Sequence, residues 1–363
     1  MAIVIDQAEG RAWKLYLADC VDVTRGLPDG RLGYTIYSPP FESLYTFSDH
    51  PRDMSNCANS ATFWEHYRFL IKELFRATMP GRLCSTHCMQ LPTSKTLDGF
   101  IGLRDFRGEI IREFQAEGWI YHSEVCIRKD PVAAMQRSKS IGLLHKQVCK
   151  DSALSRMAVA DYVVTMRKPG DNPEPVAGAF DAYYGSEATE NGGLTTETGR
   201  MRTTNYPGDN WYSVAVWQRY AEPVWMDIVQ GDVLSRALAR EEEDERHISP
   251  LQLTVIRRCI DLWSNPGDTV YSPFAGIGSE LYCAVEMGRK AIGAELKASY
   301  FRQAVANLKA VESQTKPATL FDAQEAVACN RSLWVCVLSH HLPLEVNYGN
   351  GPGVGVDLPG PRA

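Results

Sequence analysis

The sequence lacks the features that mark membrane, secreted and zinc-binding proteins. No stretch approaches the ~18 uninterrupted apolar residues of a membrane span, and no early apolar run follows a basic segment as in a secretory signal. The ten cysteines are scattered, without the paired C-x-x-C spacing of a structural zinc site. We therefore expect a cytoplasmic protein that holds no metal.

Positive charge is also in short supply. The 38 lysines and arginines are outnumbered by 44 aspartates and glutamates, which gives a formal net charge of -6. This balance argues against a uniformly basic surface for nucleic acid and leaves room for a local basic patch. Residues 128 to 168 form such a patch, since nine lysines and arginines stand there against three aspartates. A phosphate-binding surface and a solvated basic face are both open interpretations.

One segment crowds potential metal ligands together, namely Cys84, His87 and Cys88 in "CSTHC". A metal site there needs a fourth ligand from elsewhere in the chain. The surrounding "RLCSTHCMQL" is typical of a buried strand whose small thiols pack as apolar groups, and we interpret it so.

Strand-like and helix-like segments alternate through residues 1 to 130. The strand-like runs are "AWKLYLADC", "LGYTIYSPP", "RLCSTHCMQL" and "IYHSEVCIRKDP", and between them lie the amphipathic runs "TFWEHYRFLIKELFRATMP" and "DFRGEIIREFQAEGW". In the first amphipathic run, Trp64, Phe69, Leu70, Leu74 and Phe75 share one broad apolar face. The alternation predicts an α/β fold with a mostly parallel, doubly wound sheet.

Regular patterning fades after Asp130 and returns at His247. Residues 169 to 212 are rich in Gly, Pro, Asn and Thr, which predicts loops, and "REEEDER" indicates a solvated linker. The segment "SPLQLTVIRRCIDLW" then predicts a helix with Ser249 as its cap and Pro250 at its first position. We divide the chain into residues 1–130, 131–246, 247–312 and a partly disordered tail, 313–363.

The run "YTIYSPPFESLY" ends a strand abruptly in Ser38-Pro39-Pro40-Phe41. Prolines donate no backbone hydrogen bond and fix φ, so two in succession stop the strand. The plain interpretation is the end of an edge strand. The alternative is a rigid loop that presents a hydroxyl, a free carbonyl and an aromatic face where open α/β sheets bind ligands.

A second loop, "SPFAGIGS" at residues 272 to 279, joins a strand to a helix. Glycines there let backbone amides approach a ligand, and the helix N-terminus favours negative charge. About 20 residues later a strand ends at Glu295, which is placed to accept hydrogen bonds from two ribose hydroxyls. A turn without a ligand is one alternative. A dinucleotide dehydrogenase is another, although its fingerprint has a third glycine where Leu281 stands.

Together, "SPPF" and "SPFAGIGS" resemble the DNA amino-methyltransferases that use S-adenosylmethionine. Their catalytic loop has Asp, Asn or Ser before Pro-Pro and an aromatic residue, and their cofactor loop reads D-P-F-x-G-x-G-T. The order of the two loops is that of the permuted β class, and the likeness, closest to phage and prophage members, covers residues 13–130 and 247–312. It implies a Rossmann-like methyltransferase fold with an antiparallel hairpin strand toward the C-terminal end and a target-recognition insertion at 131–246.

The resemblance also assigns site residues. In catalysis it implies that Ser38 and Pro39 accept the hydrogens of an exocyclic amino group, that Pro40 keeps the loop rigid and that Phe41 stacks on a flipped-out base. Ser38 need not act as a base, because methylation acidifies the amino group and water can take the proton. The implied S-adenosylmethionine contacts are Asp19, Cys20, His247, Ser249, Ser272, Phe274, Ala275, Gly276, Gly278, Ser279 and Glu295.

One departure from the family concerns the methionine end of the cofactor, since the family's Asp is replaced by Ser272. The implied macromolecular partner is double-stranded DNA, and relatives often form homodimers. The basic region then supplies phosphate contacts from Arg137, Lys139, Lys146, Lys150 and Arg156.

The target base has two candidates. Ser at position 38 is common in cytosine-N4 enzymes, whereas Phe41 and the likeness to prophage adenine methylases favour adenine N6, which we predict. A protein or RNA methyltransferase would normally carry its catalytic loop after the cofactor loop. A DNA-binding protein that has lost catalysis is a further alternative because of Ser272. The sequence identifies neither a recognition site nor a partner endonuclease.

Overall fold

A nine-stranded mixed sheet forms the centre of the computed structural model. The structure describes residues 4–42, 50–93, 95–132, 145–154, 157–186, 211–235, 239 and 250–315, which belong to one compact unit. The strands of the large sheet are β1 Val4–Glu9, β2 Trp13–Ala18, β3 Leu32–Tyr37, β4 Thr78–Met89, β7 Ile120–Ile127, β8 Asp161–Arg167, β9 Val224–Trp225, β10 Thr269–Ser272 and β11 Lys290–Glu295. A small second sheet pairs β5 Leu91–Pro92 with β6 Leu103–Arg104.

The strand order of the large sheet is β1-β2-β11-β10-β3-β4-β8-β7-β9. Neighbouring strands run parallel, with two exceptions. β1 is antiparallel to β2, and β8 is antiparallel to both β4 and β7. The helices of the described segments are α1 Cys20–Gly26, α2 Ser60–Ala77, α3 Lys95–Asp98, α4 Phe106–Ala116, α5 His145–Lys150, α6 Trp211–Tyr220, α7 Leu253–Trp263, α8 Ser279–Glu286 and α9 Ala298–Gln314.

Both faces of the sheet are covered by helices. Successive strand residues point to opposite faces, so Tyr34 and Ile36 pack with α7, α8 and α9, whereas Tyr37 packs with α1, α2 and α4. Val270 and Tyr271 divide between the two cores in the same way. The predicted doubly wound, mostly parallel α/β sheet is therefore confirmed.

The antiparallel strands differ in position from the prediction. Among the described residues they are β1, the first strand of the chain, and β8, in its middle, and neither lies toward the C-terminal end. Both β8 and β9 come from the interval 131–246, which the sequence analysis treated as an insertion. The apolar centre of β8, Val163, Val164 and Met166, is short and lies among charged and loop-like residues, which hid its strand character.

The apolar face of α2 also differs in one residue. Trp64, Leu70 and Leu74 are buried, but Phe69 is 53% exposed, because the helical period turns it away from Leu70 and Leu74. The predicted loop segment 169–212 agrees over residues 169–186, which contain neither helix nor strand, but its last two residues, Trp211 and Tyr212, begin α6. The "REEEDER" linker and nearly all of the tail lie outside the described residues.

Helix α7 begins later than predicted. It starts at Leu253, and Pro250 lies before it, while Ser249 is outside the described residues. Asp232 supplies the cap: its Oδ2 accepts from the Thr254 N–H at 3.0 Å and from the Thr254 hydroxyl at 2.6 Å. A cap from a distant segment leaves no local sequence signal, so the start of the helix was misplaced.

No helix among the described residues is long and apolar enough to cross a bilayer.

Candidate active site

The loops that follow β2, β3, β10 and β11 border one cleft at the carboxyl edge of the sheet. Strands β3 and β10 are parallel neighbours, with Tyr34 opposite Val270, so loops from opposite ends of the chain lie side by side. The cleft lining includes Asp19, Cys20, Ser38, Pro39, Pro40, Phe41, Phe274, Ala275, Gly276, Ser279 and Glu295, all of them predicted site residues. Ligand binding at this edge follows the general rule for open α/β sheets.

The Ser38–Phe41 loop is fixed from behind by buried aromatic residues. The hydroxyl of Tyr37, just before the loop, lies 2.7 Å from the hydroxyl of Tyr67 in α2. Phe41 is half-buried and meets Phe106 edge to face, with ring centroids 6.0 Å apart. The loop therefore has a rigid base, while Ser38 and Phe41 reach the cleft.

Glu42 anchors the far end of this loop in a strained conformation. Its φ of 51° lies in the left-handed region, which costs a residue with a side chain on the order of 1–3 kcal/mol. The buried carboxylate accepts from Arg104 at 2.7 Å and from the Ser60 hydroxyl at 2.9 Å. These two contacts hold the backbone in place despite the strain.

A line of buried polar groups lies behind Ser38. The Ser38 Oγ is 3.2 Å from Nδ1 of His87, near the end of β4. Nε2 of His87 is 3.3 Å from Oδ2 of Asp161, the first residue of β8, and Oδ1 of Asp161 is 2.5 Å from Nζ of Lys129. Burial alone would raise the pKa of Asp161, but His87 and Lys129 lower it, so the carboxyl is held ionised.

The glycine loop depends on two left-handed residues, Gly276 at φ 53° and Gly278 at φ 86°. The Gly276 N–H donates to Oε2 of Glu295 at 2.8 Å. A Cβ on Gly278 would lie 3.1 Å from the Ala304 Cβ, so Gly278 allows α8 and α9 to approach closely. Gly278 is not among the cleft-lining residues, which makes its role one of packing.

Ser272 occupies a different place from the one that the resemblance implied. It is fully buried at the end of β10, its hydroxyl has no hydrogen-bond partner among the described residues, and it does not line the cleft. A direct contact between Ser272 and a ligand in the cleft is therefore not supported.

Glu295 accepts three backbone hydrogen bonds. Oε2 accepts from Gly276, and Oε1 accepts from Leu296 at 3.0 Å and from Lys297 at 2.8 Å. A carboxylate offers about four acceptor positions, so one remains, on Oε2, for a ligand hydroxyl instead of the expected two. Burial raises the pKa of Glu295 to about 7, against the lowering effect of the three N–H donors.

Glu280, which the sequence analysis did not select, also lines the cleft. It is only 4% exposed, and among the described residues no basic side chain forms an ion pair with it. Burial raises its pKa to about 8, and the nearby Glu295 adds to the rise. An acid in the first turn of a helix usually faces solvent and complements the helix dipole. The apolar residues that follow Glu280 in "SELYCAV" were the available signal for a buried position.

Asp19 has a structural task in addition to its place in the cleft. Its Oδ1 accepts from the backbone N–H groups of Val21 at 2.9 Å and Asp22 at 3.1 Å, which caps α1. Cys20 is buried, and burial raises the pKa of its thiol well above the ordinary value, so it remains a neutral wall. The capping bonds fix the orientation of Asp19 without a ligand.

Further lining residues were not predicted as site residues, although Pro273 and Ile277 lie inside the "SPFAGIGS" motif. They are Ala18, Arg52, Asp53, Met54, Pro250, Leu251, Pro273, Ile277, Glu280, Ala294, Leu296 and Tyr300. The predicted His247 and Ser249 lie outside the described residues, although Pro250 and Leu251 of the same "HISPLQL" segment reach the cleft.

The basic region is only partly free to bind a partner. Lys146 and Lys150 are exposed on α5, one helical turn apart, whereas Arg137, Lys139 and Arg156 lie outside the described residues. Lys129 pairs with Asp161, and the Lys168 ammonium donates to the Thr78 carbonyl at 2.7 Å. Some of the local positive charge therefore supports the fold.

Comparisons with known proteins agree with this arrangement. The N6/N4 methyltransferase family model, described as DNA methylase, matches residues 34–306. A Thermus thermophilus protein named as a DNA modification methylase, in complex with S-adenosyl-L-methionine, is similar in structure: TM-score 0.52, 17% identity, 83% of this chain and 95% of that chain. The PvuII DNA methyltransferase, named as cytosine-N4-specific, gives a TM-score of 0.52 at 11% identity over 84% of this chain and 92% of that chain.

At these identities the likeness to solved structures shows the fold alone. Among curated proteins, none matches the sequence significantly. The family match is of a different kind, because it spans more than half of the chain and includes the Ser38–Phe41 loop and the glycine loop. This chain belongs to the N6/N4 DNA methylase family.

Proposed function

We propose that this protein transfers a methyl group from S-adenosylmethionine to the exocyclic amino nitrogen of a flipped-out base in double-stranded DNA, with adenine N6 as the target. The observation that carries the proposal is the single cleft shared by the Ser38–Phe41 loop and the glycine loop with Glu295. A cofactor site and a rigid set of hydrogen-bond acceptors therefore lie within reach of one another.

The chemistry of the cleft suits S-adenosylmethionine, which supplies an activated methyl group on a positively charged sulfur. The free acceptor position of Glu295 suits a ribose hydroxyl, and Asp19 suits the amino group of the cofactor's adenine. Phe274 and Tyr300 supply apolar walls for the flat base. Glu280 lacks a described basic partner and suits the methionine ammonium, in place of the acid that Ser272 does not provide.

The catalytic loop meets the needs of amino methylation. The lone pair of an exocyclic amino nitrogen is delocalised into the ring, so the nitrogen is a poor nucleophile. Acceptors at the Ser38 hydroxyl and the Pro39 carbonyl favour a pyramidal nitrogen, and buried Pro39 and Pro40 keep both acceptors fixed. Phe41 then stacks on the target base, which must leave the duplex to reach the bottom of the cleft.

DNA binding falls to the middle of the chain in this proposal. The interval 131–246 serves as the recognition region although it lends β8 and β9 to the sheet, and residues 1–130 and 247–312 supply the catalytic and cofactor halves. Exposed Lys146 and Lys150 contact phosphates. A homodimer is the proposed assembly.

Cytosine N4 is the second candidate target, favoured by the serine at position 38. Both bases offer the same amino group to the Ser38 hydroxyl and the Pro39 carbonyl, so the residue roles are unchanged.

The test is mass spectrometry of nucleosides from unmodified DNA of complex sequence after incubation with the protein and S-adenosylmethionine. N6-methyladenine is the expected product, and N4-methylcytosine would keep the mechanism and reverse the target. The Ser38→Ala variant is the matched control, because a contaminating methylase would be insensitive to it. Cofactor binding without any methylated nucleoside would contradict the proposal and favour a protein that only binds DNA.

A further inference from the structure

We propose that His87 and Asp161 form a proton path behind Ser38, in which His87 takes the proton that the target amino group gives up on methylation. The inference rests on the proposed function and deepens it. His87 acts through Ser38, so it is a positioning and proton-accepting residue that does not itself touch the base. Water is the proton acceptor expected from the sequence, whereas the structure offers an acceptor inside the protein.

His87 lies between Ser38 and Asp161, and each of its two ring nitrogens is close to one of them. Ser38 follows β3, His87 lies near the end of β4, and Asp161 begins the antiparallel β8, so three adjacent strands bring the groups to one sheet edge. The distances are 3.2 Å from Ser38 Oγ to His87 Nδ1 and 3.3 Å from His87 Nε2 to Asp161 Oδ2. His87 and Asp161 are both buried, which limits competition from solvent.

The arrangement shares residue types with the Ser-His-Asp triad of serine proteases but reverses the ring. In the proteases Nε2 faces the serine and Nδ1 faces the aspartate. Here Nδ1 faces Ser38 and Nε2 faces Asp161. Two buried prolines follow Ser38 and keep the loop rigid, so the Ser38 hydroxyl has a fixed position. In the proposed path this hydroxyl relays a hydrogen bond from the target amino group to His87.

The proton transfer conserves both atoms and charge. Neutral His87 carries its proton on Nε2, the ring nitrogen nearer to Asp161, and accepts from the Ser38 hydroxyl at Nδ1. As the target nitrogen forms its bond to the methyl carbon and the carbon–sulfur bond breaks, an N–H proton moves to Ser38 Oγ. The Ser38 hydroxyl proton moves to His87 Nδ1, which leaves a neutral methylamino group and an imidazolium. The imidazolium returns its proton to water after the product leaves.

Asp161 and Lys129 stabilise a buried imidazolium in this place. A charged ring without a counter-ion would be strongly disfavoured in a buried site. Asp161 supplies the counter-charge, and Lys129 at 2.5 Å keeps that carboxylate ionised before the ring is charged. The charged and titratable groups that the structure places in this line with His87 are Asp161 from β8 and, behind it, Lys129 after β7.

The first test compares His87→Asn with the wild type in single-turnover methylation over a range of pH. The Asn carbonyl can still accept from Ser38 in place of Nδ1, but it cannot take a proton. We expect a loss of about 10²-fold or more in rate, with unchanged affinity for S-adenosylhomocysteine and DNA. We also expect the acid limb of the wild-type rate profile to disappear in the variant.

Ser85→Ala is the matched structural control. Its hydroxyl lies 2.9 Å from that of Thr165, so it removes another buried polar contact between the same two strands, β4 and β8. We expect it to retain the wild-type rate. A His87→Asn variant within about threefold of the wild type and with the same acid limb would overturn the proton path.

The second test needs no catalysis. In the full chain with nitrogen-labelled histidine, nuclear magnetic resonance identifies the His87 ring among the eight histidines by its loss in His87→Asn. In the neutral ring we expect the proton on Nε2, and we expect a shift of the Nδ1 resonance in Ser38→Ala. A proton on Nδ1 would overturn the path, since the ring could not then accept from Ser38. The expected ring state in a chain that methylates no DNA would overturn the proposed function and support the contact between Ser38 and His87 itself.

Discussion

The backbone N–H of Gly276 donates to the Glu295 carboxylate over 2.8 Å, so the tip of the glycine loop is tied to the end of the neighbouring strand. This bond shapes the loop before any ligand arrives. We expect Glu295→Gln to bind both S-adenosylhomocysteine and methylthioadenosine at least about tenfold more weakly, because its amide nitrogen cannot accept from Gly276 and a ribose hydroxyl. Isothermal titration calorimetry measures both affinities. Glu286→Gln, on α8 and paired with Arg257 outside the cleft, is the control and should bind both ligands normally.

Glu280 should discriminate between these two ligands. Methylthioadenosine has the same nucleoside as S-adenosylhomocysteine but lacks the end that carries the ammonium group. We expect Glu280→Gln to lose about tenfold or more in affinity for S-adenosylhomocysteine and to keep its affinity for methylthioadenosine, since only the former presents a cation to the carboxylate. Equal losses for both ligands would contradict the assignment of Glu280 to the ammonium.

The same residue should affect stability in a pH-dependent way. Burial raises the pKa of Glu280 from 4.5 to about 8, so between these values the folded state holds a proton that the unfolded chain releases. Raising the pH through this window therefore lowers the free energy of unfolding. In the ligand-free protein, Glu280→Gln should gain stability over the wild type from about pH 5 to about pH 8, by at least about 1 kcal/mol at the upper end. Urea unfolding at the two pH values measures the difference, and a constant difference would argue against a raised pKa.

Ser38 and Phe41 should affect turnover more than cofactor affinity. Ser38→Ala removes one of the two acceptors for the target amino group, and we expect a loss of about 10²-fold in single-turnover rate. Phe41→Leu keeps an apolar contact with Phe106 but removes the flat ring, so methylation should slow while S-adenosylhomocysteine binds as before. Wild-type rates in Ser38→Ala would show that the hydroxyl makes no contact with the amino group.

Lys146 and Lys150 should affect the salt dependence of DNA binding. If both contact phosphates, replacing both with alanine should flatten the plot of log affinity against log salt by about 1.8, or about 0.9 for each contact. Fluorescence anisotropy with a labelled duplex measures this slope. Arg68→Ala and Arg112→Ala together remove two positive charges whose present partners are carboxylates, and this double variant should leave the slope unchanged. An unchanged slope in the lysine variant would place DNA elsewhere.

Much of the fold could be predicted because many of its helices and strands have a characteristic pattern of apolar residues within one contiguous segment. The period of α2 and the apolar run of β3 are properties of contiguous residues, and the alternation of such segments predicts a parallel sheet. β8 escaped prediction because its partners, β4 and β7, decide its place, and its own apolar centre is short. The start of α7 escaped for a similar reason, since its cap comes from Asp232.

The site residues also fall into two groups, those that a continuous motif reveals and those that depend on the tertiary structure. Ser38–Phe41 and the glycine loop are continuous motifs, so both could be found in the sequence, and the structure brings them to one cleft. The line from Ser38 to His87 and Asp161 depends on the register between three strands, which no single segment encodes. Glu280 resembles an ordinary helix-capping acid until its burial is known.

The pairing of β3 with β10 has a consequence for how the chain matures on the ribosome. β3 and β4 emerge early, but one edge of β3 stays without its native neighbour until β10 has been synthesised near the other end of the chain. An unpaired apolar strand edge is prone to association with other chains, and such long-range pairings form slowly. Translation that stops before β10 therefore leaves a fragment with the whole Ser38–Phe41 loop, no glycine loop and an open strand edge, so a strand that is made late protects one that is made early.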